Sequence, residues 1–539
     1  MFQTFARRTI LCVAVALLSL GAIAAAAGVE ARLDSGLVSG EALEGGLQVY
    51  RGIPYAAAPV GELRWRPPQA AEAWDGVRSA AEFGKICPQQ PLLAAMTGGS
   101  LPETSEDCLF LNVWTPDATT DEKLPVMVWI HGGGLTLGWS NQEGYDGVEI
   151  AKRGVVLVSI NYRLGPLGFL SLPSLSAESD RGVSGNYGFL DQIAALEWVQ
   201  RNIEAFGGDP GRVTIFGESA GGTSVHALLA SPLTEGLFHG AIAESAWVTE
   251  SNVTHQRRAA PFVDSAEALG LAWVAKVAAG SPEVSLEDLR AIPAAELISR
   301  SDPADLAIMT VDGWFMPQPS EDIFARGKQR NVPLIAGTNA DEGTMFAQGP
   351  GFTTAEGLRA TIEGLFGDHA GSILALFPFD SDAEAKVAAN ELLTENWFLR
   401  ATRGMLIGMD SVSSPAYQYY FTRASRVLPA WGAHHAAELA YVFNNFGGGF
   451  GAVAEDRLED ADRRLASAMI GYWTQFAKTG NPNLEGLPEW PAFEVGSEAY
   501  LELGDEIKVG RELGKTRCDE LDSILTRARA ASEQPSAGR

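Results

Sequence analysis

Uninterrupted apolar runs alternate along this chain with stretches whose apolar residues recur at helical spacing. Residues 124–131 (LPVMVWIH) and 154–162 (GVVLVSINY) carry apolar side chains on both faces, the pattern of strands buried in a parallel sheet. Residues 193–203 (IAALEWVQRNI) predict a helix. A short strand is predicted at 213–215, a helix at 225–230, and later strands at 240–244, 333–337 and 416–420. Strand and helix in alternation predict an α/β fold with a mostly parallel central sheet. Residues 260–300 and 354–409 read as mainly helical excursions beyond the strand ends, where loops build sites. No internal repeat and no Gly/Ser- or Pro-rich linker breaks this order, so residues 28–539 are expected to form one domain.

The first 27 residues follow another rule. Arg7 and Arg8 precede an uncharged apolar run that ends in Ala25-Ala26-Ala27, the layout of a cleavable signal peptide, with a retained membrane anchor as the alternative because the run is longer than the usual apolar region. Every later uncharged run is too short to span a bilayer. The expectation is an exported protein, periplasmic or secreted, with no stable membrane partner after cleavage. Export gives the cysteines meaning. Cys12 leaves with the signal, and Cys87 and Cys108 flank a polar stretch short enough to be closed as a loop, while Cys518 is left over. With no C-x-x-C and no histidine pair near these cysteines, no zinc site is expected. The formal charge of -27, from 67 acidic against 40 basic side chains, repels phosphate backbones and sets nucleic acid aside as a partner.

Residues 216–222 (FGESAGG) form a G-x-S-x-G sequence between the strand predicted at 213–215 and the helix that follows. This is the context of a nucleophile elbow, in which small residues on either side let the chain reverse and lift Ser219 clear. The plain alternative is a glycine turn with an incidental serine. Context decides between them. A serine hydroxyl needs a base, and the base needs a group to orient it. Elbow hydrolases carry these in the order Ser, acid, His. Asp341 and Glu342 directly follow the strand predicted at 333–337, and spacing leaves either as the acid. His434 and His435 lie in a segment that follows the strand predicted at 416–420, and either could be the base. Upstream, His131-Gly132-Gly133-Gly134 ends a buried strand. Its backbone N–H groups, with that of Ala220, make a candidate oxyanion hole.

These residues belong to longer patterns. Phe206-Gly207-Gly208 followed by residues 213–221 (VTIFGESAG) resembles the active-serine signature of the type-B carboxylesterases, the family of cholinesterases and bacterial para-nitrobenzyl esterases. Residues 106–113 (EDCLFLNV) resemble the second signature of that family, with Phe110 where Tyr or Thr is usual. The resemblance runs from about Gly36 to Ser523. It implies an α/β-hydrolase fold and a serine esterase that needs no metal or organic cofactor. It also implies Ser219 as nucleophile, Glu342 as acid, His435 as base, and Gly133, Gly134 and Ala220 as oxyanion donors. Cys87–Cys108 is implied as a disulfide, and Arg64 with Glu106 and Arg163 with Asp191 as structural ion pairs. Ser245 is expected to hydrogen-bond the acid, and Glu218 to place a negative charge beside the imidazole of His435. In cholinesterases the first disulfide loop carries a tryptophan for the quaternary ammonium. Residues 88–107 hold no Trp, Tyr or Phe, so choline esters are not the expected substrates. Two other readings fit parts of the pattern. One is a lipase acting at interfaces; the other is a non-catalytic adhesion protein on the same fold, which has no need of all three triad groups together. The natural ester and the oligomeric state stay open.

Overall fold

The computed structural model describes residues 28–118, 122–260, 262–278, 284–449 and 453–533. The signal peptide expected at 1–27 lies outside them. In chain order the strands are β1 (Val29–Leu33), β2 (Gly36–Ala42), β3 (Gln48–Pro54), β4 (Val77–Ser79), β5 (Phe110–Thr115), β6 (Leu124–Ile130), β7 (Val156–Ile160) and β8 (Gly208–Glu218). Then come β9 (Gly240–Glu244), β10 (Val253–His255), β11 (Met309–Val311), β12 (Leu334–Asn339), β13 (Ala416–Phe421), β14 (Ala499–Leu503) and β15 (Ile507–Arg511). One sheet runs β1-β2-β3-β5-β7-β6-β8-β9-β12-β13-β14-β15, with β4 beside β2. From β7 to β14 every neighbouring pair is parallel, and the edges are antiparallel. The α/β fold read from the apolar runs is the fold observed.

The central strands are apolar on both faces because helices cover both. Val126, Val128 and Ile130 of β6 belong to one hydrophobic cluster, and Met127 and Trp129, which alternate with them, belong to another. Each large side chain fully buried there contributes about 1.5–3 kcal/mol. The helix read at 193–203 begins earlier, as Tyr187–Asn202. Asn186 precedes it with φ of +52°, a left-handed entry that helical periodicity does not reveal. The excursion at 260–300 contains helices Ala266–Val277, Leu286–Ala291 and Ala294–Arg300. That at 354–409 contains Ala355–Phe366, Ala370–Leu376, Asp382–Leu393, a π-helical stretch Thr394–Leu399, and Arg400–Met409. Among the described residues no helix is long and apolar enough to cross a membrane.

Covalent and ionic ties fix the N-terminal third. Cys87 and Cys108 are disulfide-bonded, closing a loop with a sequence separation of 21, a size for which chain entropy favours the fold by about 3 kcal/mol. Cys518 is a buried free thiol. Arg64 binds Glu106 through two hydrogen bonds of 2.6 Å, and Arg163 binds Asp191 at 2.8 and 2.7 Å. Both pairs hold elements together away from Ser219. Removing one partner of the buried Arg163–Asp191 pair would strand the other charge, at a cost of about 3–5 kcal/mol.

His226 sits on the elbow helix Ala220–Ala230, stacked on Phe324 with ring centroids 4.9 Å apart, and neither ring nitrogen has a hydrogen-bond partner. It borders a cavity of about 440 Å³ shared with Arg400 and Met405. Burial lowers its pKa from 6.5 to about 4, and burial does the same to His131. Both are neutral when folded and take up protons when unfolded. The stability they contribute is complete above pH 6.5 and is lost as pH falls toward about 4. The melting temperature should therefore fall across this window, and His226→Leu should flatten the slope. Calorimetry at a series of pH values checks this, and equal slopes in the two proteins would refute it.

Candidate active site

The strands β6, β8, β9 and β12 deliver their C-terminal ends to one place, as parallel sheets do for their sites. Ser219 follows β8 directly and caps the elbow helix with φ of +58° and ψ of −119°. A non-glycine residue held there stores on the order of 1–3 kcal/mol of strain. Three bonds hold it: the Ser219 N–H donates to the Glu244 carbonyl at 2.9 Å, and the Ser219 carbonyl accepts from the Thr223 N–H at 2.8 Å and from Thr223 Oγ1 at 3.2 Å. Gly221 explains the second glycine of the motif. A Cβ added there would stand 2.0 Å from the Ile130 carbonyl oxygen at the end of β6. Only glycine lets the elbow helix press so closely on the strand.

The glycine run after β6 passes against the serine, since a Cβ on Gly132 would lie 3.1 Å from that of Ser219. Gly133 and Gly134 both have positive φ, 112° and 63°, so their peptide groups turn away from strand geometry. His131, at the head of the run, stacks on Tyr162 at 4.5 Å and donates from Nδ1 to the Gly132 carbonyl. It is a buried neutral wedge under the loop. Ala220 is buried at the first turn of the elbow helix, where backbone N–H groups are unpaired within the helix.

Spacing left Asp341 and Glu342 equal, and the structure separates them. Asp341 ties two loops together: its N–H donates to the Ala433 carbonyl at 3.0 Å and its carboxylate accepts from the Ala433 N–H at 2.9 Å. Glu342 turns inward and is fully buried. One of its oxygens accepts from Ser245 Oγ at 2.5 Å and from the Asn339 N–H at 2.7 Å, and the other lies 2.5 Å from His435 Nδ1. The two histidines separate as well. His434 donates from Nδ1 to the His435 carbonyl at 2.7 Å, and its own carbonyl accepts from Asn339 Nδ2. Burial lowers its pKa. His434 thus shapes the loop and His435 meets the carboxylate.

The Nε2 edge of His435 faces Glu218 Oε1 at 3.1 Å. Sequence reading expected a negative charge there. Complete burial, then Glu342 and Glu244, raise the Glu218 pKa well above the ordinary carboxyl value, a direction opposite to the one a standing negative charge requires. Sequence reasoning also passed over several neighbours. Phe398 and Phe346 pack on the imidazole with ring centroids 4.8 and 5.2 Å away. Trp397 adjoins Phe346, and Trp247 adjoins Trp397. The π-helical stretch brings Trp397 and Phe398 here, and π-turns of this kind are frequent at functional sites. No periodicity signals one.

The chain has counterparts in sequence and in fold. The model of the carboxylesterase family matches residues 27–357 and 378–521. The fumonisin B1 esterase of Sphingopyxis macrogoltabida is 37% identical over 89% of this chain and 87% of its own length. The para-nitrobenzyl esterase of Bacillus subtilis (strain 168) is 36% identical, over 86% of this chain and 93% of its own. A solved PNB esterase structure superposes with a TM-score of 0.77 at 34% identity, covering 91% of this chain and 99% of that one. The match in sequence and in fold extends over nearly the whole described chain, and the protein is a carboxylic ester hydrolase belonging to the carboxylesterase family.

Proposed function

We propose that the chain, exported as one hydrolase domain, cleaves carboxylic esters through an acyl-enzyme on Ser219, with His435 as base and Glu342 as the group that orients it. The observation that carries this reading is the ordered line Ser245–Glu342–His435, whose Nε2 edge faces Glu218, the residue before the strained, half-buried Ser219. Glu342 accepts from Nδ1–H, which leaves the Nε2 lone pair of His435 to take the Ser219 proton. The Ser219 oxygen attacks the ester carbonyl, and its oxyanion is received by the N–H groups of Gly133, Gly134 and Ala220. A donor of this kind is worth roughly 10²–10³ in rate. The imidazolium protonates the departing alcohol, and water then repeats the sequence on the acyl-enzyme. A binding role alone gives no reason to hold a serine under strain beside a buried acid–imidazole pair.

The substrate is proposed to be a small uncharged ester. Phe346, Phe398, Trp397 and Trp247 offer an aromatic wall beside the imidazole. The disulfide loop lacks an aromatic face for a quaternary ammonium, which argues against choline esters.

Ser219→Ala should lower kcat for para-nitrophenyl acetate by at least about 10⁴ and abolish labelling by a fluorophosphonate probe, with an unchanged melting temperature. Activity retained in that variant would overturn the scheme. His435→Ala should lose about as much as Ser219→Ala, whereas His434→Ala, which loses only a loop bond, should lose roughly tenfold or less. The reverse order would move the base by one position. In the unmodified enzyme kcat/KM should fall as acid protonates the base, and a flat profile down to about pH 4 would argue against histidine.

A further inference from the structure

Four glutamates are buried together behind the imidazole: Glu218, Glu244, Glu342 and Glu438, each 3% exposed or less. Glu218 ends β8 and Glu244 ends β9, and the two are paired in parallel register, so their side chains stand side by side on one face. Glu438 precedes the short helix Leu439–Val442. Tyr419 of β13, Tyr145, His434 and His435 supply the other titratable groups facing them. No Lys or Arg figures among the charges that act most strongly on Glu218, Glu244 or Glu438. Four negative charges buried in one volume repel one another and lose their hydration, so ionising all four together is costly.

The hydrogen bonds say which carboxyl keeps its charge. Glu342 receives Ser245 Oγ–H, the Asn339 N–H and His435 Nδ1–H, and several donors on one carboxyl favour its anion. Glu244 receives only the Trp473 indole N–H at 2.8 Å, and its other oxygen is unpartnered. Glu438 receives only Asn339 Nδ2, and again one oxygen is unpartnered. Glu218 Oε1 has no hydrogen-bond donor, and its near neighbour is His435 Nε2. That nitrogen is the lone-pair side of the ring, because Nδ1 gives its hydrogen to Glu342.

We propose that Glu218 is a positioning residue that works as a neutral carboxylic acid packed against the Nε2 edge of His435 in the resting enzyme, with Glu342 the single anion of the buried cluster. The proposal rests on His435 being the base. Glu218 then holds the imidazole plane between two carboxyls until Ser219 and an ester take over the Nε2 side, and it adds no standing charge to the site. Burial and neighbouring carboxyls push all three remaining acids upward, Glu244 to about 8, in the direction the donor count requires.

Glu218→Gln keeps the shape and offers an amide N–H in place of the O–H. It should leave the acid limb of kcat/KM in place and hold the rate within about tenfold, while Glu218→Leu loses substantially more. If Glu218 were an anion, its removal would move the acid limb about one unit or more to lower pH, and that shift would overturn the proposal. Infrared difference spectra give a readout independent of turnover. The glutamine variant should lack one protonated-carboxyl C=O band present in the parent at pH 7, and loss of a carboxylate band instead would count against the proposal. For the unmodified enzyme, acetylcholine and its uncharged isostere 3,3-dimethylbutyl acetate are compared at high salt. The cation should gain no advantage in kcat/KM, and a preference for it of tenfold or more would overturn the neutral reading. Failure of the base assignment is separately visible as full activity in His435→Ala.

Discussion

The contact on which the site depends is the bond from the Ser219 N–H to the carbonyl of Glu244. It links the residue after β8 to the last residue of β9, and it pins a backbone conformation that a serine would otherwise leave. The same strand end fixes much else. Glu244 is the register partner of Glu218, and the next residue, Ser245, donates to Glu342. One junction between two parallel strands therefore sets the proposed nucleophile, the carboxyl beside the proposed base and the donor to the proposed acid. Gly221 closes the third side, because the elbow can tighten only if nothing stands between it and the end of β6.

The proposed base, His435, arrives by a separate route, 93 residues after Glu342. Asp341 bonds the loop of His435 by both its backbone and its carboxylate, and Asn339 binds that loop at the His434 carbonyl. These ties leave Glu342 free of loop bridging, so its oxygens are available to Ser245 and His435. Two adjacent carboxylates thus divide the work, one holding the loops in register and the other meeting the imidazole. The pattern of hydrogen bonds, and not the spacing along the chain, assigns them.

What the chain discloses beforehand follows from how local each signal is. The buried strands and the elbow are written in short windows: apolar runs for β6 and β7, and two glycines around Ser219. The order acid then histidine adds a coarse long-range rule, and the family resemblance implies Glu342 and His435 from adjacent pairs. Pairing across strands is not local, so nothing near Glu218 announces that Glu244 lies beside it. That is why a charge was expected where burial and like neighbours favour the neutral acid. The aromatic wall was equally hidden, because Trp397 and Phe398 reach the imidazole only through a π-helical register that helical spacing does not encode.

The electrostatics of surface and site also part company. A chain with a formal charge of -27 surrounds itself with a field that draws cations and repels anions over about a Debye length, ~8–10 Å in ordinary buffers. Inside, four glutamates are buried with no Lys or Arg acting strongly on Glu218, Glu244 or Glu438, and burial pushes those three toward their neutral forms. Desolvation makes a standing buried charge costly, so a site of this kind responds to the oxyanion and imidazolium that form during turnover more than to charge already carried by the ester. Surface charge then bears on solubility and encounter, while under the proposed function selection among esters falls to the shape of the aromatic wall around His435.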